Sequence, residues 1–94
     1  MGFWDDINAQ LDAVEQATNA DAVIAALGGR SNASSGDAFF AGSGGDRTLM
    51  SALITAGWKL TWAEASYYYV MRAPNGDLIT YVEGDVYLGD VHKD

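Results

Sequence analysis

Residues 66–85 read SYYYVMRAPNGDLITYVEGD, two apolar runs around a turn, and the way they pair decides the fold. A two-residue type I′ turn centred on Asn75-Gly76 would ask its flanking residue, Pro74, for an N–H that proline lacks. A type I turn with Pro74 and Asn75 central, closed by Gly76 in the left-handed region, avoids the conflict. That choice pairs Ala73 with Asp77, Met71 with Ile79, Tyr69 with Tyr81 and Tyr67 with Glu83 on one face. The other face then carries Arg72 by Leu78, Val70 by Thr80 and Tyr68 by Val82.

Working outward, the hairpin strands span 67–73 and 77–83. Upstream, Trp58, Leu60 and Trp62 alternate with Lys59 and Thr61 as in a half-buried strand, and residues 63–66 turn the chain. Downstream of Gly84, Val86-Tyr87-Leu88 adds a short last strand. Before the sheet, Asp46 caps a helix over Arg47–Ala56 with Leu49, Met50, Leu53 and Ile54 on one stripe, and Gly57 stops it. Residues 28–45, GGRSNASSGDAFFAGSGG, read as a Gly/Ser-rich loop. Phe39-Phe40 is its only apolar pair and acts as a latch to the core or, alternatively, as a plug for a partner.

At the N-terminus, Phe3, Trp4, Ile7, Leu11, Val14 and Thr18 recur at helical steps. Asp5 and Asp6 sit in the first turn, at the positive end of the macrodipole. Acid on the polar side argues against a membrane anchor, which carries Lys and Arg there. Thr18 and Asp21 suggest a capping box for a second helix, Asp21–Leu27, ended by Gly28-Gly29. The expected fold is α+β: N-terminal helices plus one further helix packed on a three- to four-stranded antiparallel β-meander. It forms one domain, divided into helical (1–27), loop (28–45), helix (46–57) and sheet (58–90) parts.

Composition narrows the function classes. The net charge is −8 and there is no cysteine, so disulfides and thiolate metal sites are excluded. Residues 1–45 hold six acids against Arg30, and residues 46–94 hold seven against four bases. Without clustered Lys and Arg, neither nucleic acid nor an anionic membrane is an expected partner, and a basic protein surface is. Acid in place of base at the start, and no long apolar run, predict neither signal peptide nor membrane span.

Catalytic and ligand chemistry finds little support. Gly42–Thr48 resembles a phosphate loop only in its glycines, for it lacks the lysine and follows no strand. His92 stands alone near the C-terminal end, where fraying is expected. Glu83, Asp85 and Asp90 do not have calcium-loop spacing, Glu83 and Glu64 are the one conceivable carboxylate pair, and Ser34 and Ser35 have no base beside them. The aromatic rings of the C-terminal half leave sugar stacking open. No catalytic, cofactor-binding or metal residue is therefore assigned.

The stretch GWKLTWAEASYYYVMRAPNGDLITYVEGDVYLGD, residues 57–90, resembles the C-terminal part of small uncharacterised proteins encoded by tailed phages of actinobacteria. The likeness lies in Gly-Trp opening a strand, Ala-Ser-Tyr-Tyr, the Pro-Asn-Gly-Asp turn and Tyr-Val-Glu-Gly-Asp-Val-Tyr. It implies a viral protein that binds, either in the virion or on a host or defence protein in the host cytoplasm.

Both hairpin faces are apolar, and an ordinary two-layer domain keeps one face polar. Short helices cover one face, leaving Tyr and Val of the other as an interface. The competing arrangement has helices on both sides, with Phe39-Phe40 sealing the remainder. The expectation is a non-enzymatic acidic protein-binding module with Tyr68, Val70, Thr80 and Val82, or the facing set Tyr67, Tyr69, Met71, Ile79 and Tyr81, at the contact, together with Phe39 and Phe40. A structural component that self-associates through a sheet face, and a small-ligand or sugar-binding domain, are the alternatives.

Overall fold

A computed structural model describes residues 3–29, 36–40, 42 and 48–92, with side chains from Asp5 onward. In chain order the elements are α1 (Phe3–Val14), α2 (Ala20–Ala26), β1 (Ala38–Phe39), α3 (Leu49–Thr55), β2 (Lys59–Ala65), β3 (Tyr68–Arg72), β4 (Leu78–Val82) and β5 (Asp85–Leu88). The strands form one sheet in the order β1-β5-β4-β3-β2, with every neighbouring pair antiparallel. The α+β class stands, with five strands in place of three to four.

The β3–β4 register is the one dictated by Pro74: Met71 opposite Ile79, Tyr69 opposite Tyr81, Val70 opposite Thr80. Gly76 N–H donates to Ala73 O at 2.9 Å and Ala73 N–H to Asp77 O at 2.7 Å. Gly76 itself has φ 96°, the left-handed closure expected of a type I turn with a following bulge.

The three helices among the described residues lie on one face of the sheet. Ile7, Leu11 and Val14 of α1, Val23 of α2, and Leu49, Ala52 and Leu53 of α3 share one core with Tyr69, Met71, Ile79 and Val86. Each large side chain fully withdrawn from water contributes about 1.5–3 kcal/mol. Trp58 enters the same core, and its Nε1–H donates to Ala17 O at 2.8 Å.

Several boundaries differ from expectation. The helix before the sheet is capped by Thr48, whose hydroxyl accepts from Ser51 N–H while Thr48 N–H donates to Ser51 Oγ; Asp46 lies outside the described residues. Ile54, placed on the buried stripe, is exposed, because a seven-residue helix that buries Leu49, Ala52 and Leu53 turns position 54 outward. The cap of α2 is Asn19, its Oδ1 accepting from Ala22 N–H, rather than Thr18. The β1 strand inside the expected loop was missed because two residues carry no periodicity. Backbone pairing supplies it: Asp37 N–H donates to Val86 O and Phe40 N–H to Gly84 O.

The edge strand β2 holds the largest departure. It runs through 63–65, where a turn was expected, and its pairing shifts register between Leu60 and Trp62 and again between Ala63 and Ala65. Leu60 pairs with Met71, on the helix side, but Trp62 pairs with Val70. The extra residue reverses the alternation and sends Trp62 to the opposite face.

Candidate partner-binding surface

The sheet face away from the helices was expected to be open. Its centre is closed, although none of the described helices covers it. Val70 and Thr80 alternate with the core residues of β3 and β4 and so point outward, yet both are 0% exposed. Residues 89–92 lie over Thr80. Thr80 Oγ1 donates to Gly89 O at 2.8 Å and accepts from Val91 N–H at 3.0 Å. His92, expected to be frayed, stacks on Trp62, and Trp62 meets Tyr68 edge-on with centroids 4.8 Å apart.

This placement sorts the candidate contact residues. Tyr69, Val70, Thr80 and Phe40 are buried, as are Met71 and Ile79, and none offers surface to a partner. Tyr68 and Val82 are half-buried on the outer face. Tyr67, Tyr81 and Phe39 retain surface, with Tyr67 the most at 52%. Phe40 lies in the core, so its ring latches the chain to the sheet. The other serines, glycines and arginines of 30–35 and 43–47 fall outside the described residues.

The residues that keep surface meet at one end of the sheet. Phe40, Tyr67, Tyr69, Tyr81, Leu49 and Met50 line a depression of about 220 Å³. A second, about 300 Å³, adjoins it between Phe39, Phe40, Tyr67, Tyr81, Glu83 and Gly84. Tyr69 and Tyr81 stack across the strands with centroids 4.9 Å apart, forming the floor. Burial pushes the Tyr69 phenol far above its ordinary range, with the neighbouring Tyr81 adding to it. Tyr81 is also raised by burial, opposed by a hydrogen bond with the Gly84 backbone. Both phenols are therefore neutral throughout the physiological range.

The rim is set by the β4–β5 turn, where Val82 pairs with Asp85 across Glu83 and Gly84. Glu83 has φ 47° and Gly84 φ 100°, the signs of a type I′ turn. Glu83 N–H donates to Tyr67 O at 2.8 Å, tying the rim to the turn that carries Tyr67. A Cβ on Gly84 would stand 2.5 Å from Phe39 Cε1, so the glycine lets that ring pack flat on the turn. The sequence reading assigned no contact to Glu83, Gly84 or Met50. Val-Glu-Gly-Asp between two apolar runs was the signal available for the first two.

Other chemistry gains nothing from the geometry. Glu64 on β2 and Glu83 beyond β4 have β3 between them, a separation of roughly 10 Å at ordinary strand spacing. Among the described residues no group of three or more His, Cys, Asp or Glu is placed to hold a metal, and no helix is long and apolar enough to cross a membrane. Depressions of this size fall at or below the range of small-molecule sites, about 300–1,000 Å³. No protein-family model, curated protein or solved structure matches the chain.

Proposed function

We propose that the protein is a non-enzymatic, acidic protein-binding module, and in the context of its phage resemblance a phage-encoded modulator of a host or defence protein. The observation that carries this reading is the aromatic depression bounded by Phe39, Tyr67 and Tyr81. Its walls are aromatic, and aromatic rings with polar tips are the common anchors of protein interfaces. The net charge of −8 favours a basic partner.

The test is affinity capture from the natural host, followed by binding measurements on the captured protein with Tyr67→Ala and, as a control elsewhere on the surface, Ile54→Ser. Binding that weakens with Tyr67→Ala and with added salt, but not with Ile54→Ser, supports the reading. A complex indifferent to Tyr67 overturns it.

A second reading, self-assembly as a structural component, moves from the sheet face to the sheet edge. β2 is seven residues long, lies at the edge, and exposes Leu60 by 49%. Antiparallel pairing with a second copy about the Thr61–Trp62 peptide would set Lys59 of each chain opposite Glu64 of the other. The register shifts in β2 oppose such pairing. Light scattering distinguishes the two: a stable dimer dispersed by Lys59→Glu favours assembly, and a monomer favours the foreign partner.

A further inference from the structure

We propose that the aromatic depression at the β4–β5 turn is a seat for a cationic side chain, a lysine or arginine presented by a basic protein partner, with Glu83 as its counter-charge. The inference rests on the protein-binding reading and adds the chemistry of the anchor.

Three observations converge. Phe39, Tyr67 and Tyr81 line one depression, and Glu83 lines it beside them. A cation seated among aromatic rings is attracted by their quadrupoles, and a lysine or arginine stem has the apolar length to pack against the walls. The arrangement is fixed before any partner arrives: Glu83 N–H bonds Tyr67 O, Phe39 packs against Gly84, and Tyr81 stacks on Tyr69. Finally, Glu83 holds φ 47°, a conformation that glycine or asparagine adopts with less strain. A carboxylate kept there despite that strain points to a use for its charge.

An apolar anchor fits less well, since it would bring an uncompensated carboxylate to a drying rim. A hard metal ion fits less well too, because it wants several oxygen ligands and no such group is assembled among the described residues.

The experiment is an NMR titration of the full chain with blocked Ala-Lys-Ala and Ala-Arg-Ala peptides, against Ala-norleucine-Ala, which has a similar stem and no charge. Saturable shifts of the Tyr67, Tyr81, Glu83 and Gly84 amides are expected with the cationic peptides. Norleucine should bind about fivefold more weakly or worse, and Tyr67→Ala and Glu83→Gln should each weaken the lysine peptide by a similar factor. Glu83 is exposed, so Glu83→Gln leaves the fold intact. Equal binding of norleucine, shifts elsewhere, no saturation, or indifference to Glu83→Gln overturns the proposal. Should the lysine peptide fail while a captured partner still depends on Tyr67, the cation seat falls and the binding module stands. If neither shows dependence on Tyr67, both fall.

Discussion

The imidazole of His92 lies flat on the indole of Trp62, with ring centroids 4.0 Å apart and planes inclined by 13°. Asp90 holds the same imidazole at its edge, Oδ1 to Nδ1 at 2.5 Å. This contact fastens residues 89–92 across the outer face of the sheet. This short segment thus does what a second helical layer does in larger domains: it takes Thr80 out of water.

Thr80 is the other anchor of that strap. Thr80→Val keeps the shape and removes both hydrogen bonds, to Gly89 O and from Val91 N–H. Loss of about 1 kcal/mol is expected, because the released tail groups regain water. Urea denaturation measures the loss, and amide exchange at Val91 should quicken. Unchanged exchange at Val91 would show that Thr80 does not hold the tail.

Trp58 joins the start of β2 to the segment between α1 and α2. It is buried, and its Nε1–H is bonded to Ala17 O. Trp58→Phe removes volume and leaves that carbonyl without its partner, so a loss of about 2–4 kcal/mol is expected. Trp62→Phe, at a half-exposed position, should lose less than half as much. Comparison of their thermal midpoints checks the ranking.

The β4–β5 turn makes opposite predictions for adjacent residues. Glu83→Gly relieves the left-handed conformation and should stabilise by up to about 1 kcal/mol. Gly84→Ala meets both a φ of 100° and Phe39 Cε1 at 2.5 Å, and should destabilise by about 2 kcal/mol or more. Paired denaturation curves decide the signs, and two curves shifted the same way would refute the turn assignment.

Asp77 couples the β3–β4 turn to α2. Its carboxylate accepts from Ala20 N–H at 3.1 Å and from Asn75 Nδ2 at 3.1 Å, and these bonds, Ala20's first, hold its pKa below the ordinary 3.8. A depressed folded value means the contribution is present above the unfolded pKa and is lost as pH falls through the folded one. The wild type should therefore lose stability on acidification below about pH 4 more steeply than Asp77→Asn. Denaturation midpoints at a series of acidic pH values give the two slopes, and parallel slopes would remove Asp77 from the acid response.

Much of the hairpin and core was legible. Pro74 excluded one turn and so fixed the register of Tyr69 against Tyr81, because a missing N–H is a local fact. The 7–11–14 spacing in α1 named the core side of that helix for the same reason. The contact surface was less legible. Tyr67, Tyr81 and Phe39 were named, but so were Tyr69, Val70, Thr80 and Phe40, since exposure depends on what chain distant in sequence lies on top.

What the amino-acid sequence determined alone is what neighbouring residues impose on one another: the turn at Pro74-Asn75-Gly76, the helical stripe of α1, and the excess of acid. Tertiary structure decided the rest. The register shift at Thr61 turned Trp62 to the outer face, and only there could His92, thirty positions away, lie against it and close the sheet. No local pattern encodes that, because two-residue alternation holds only until a bulge interrupts it, and a bulge on an edge strand is settled by what both faces must pack against.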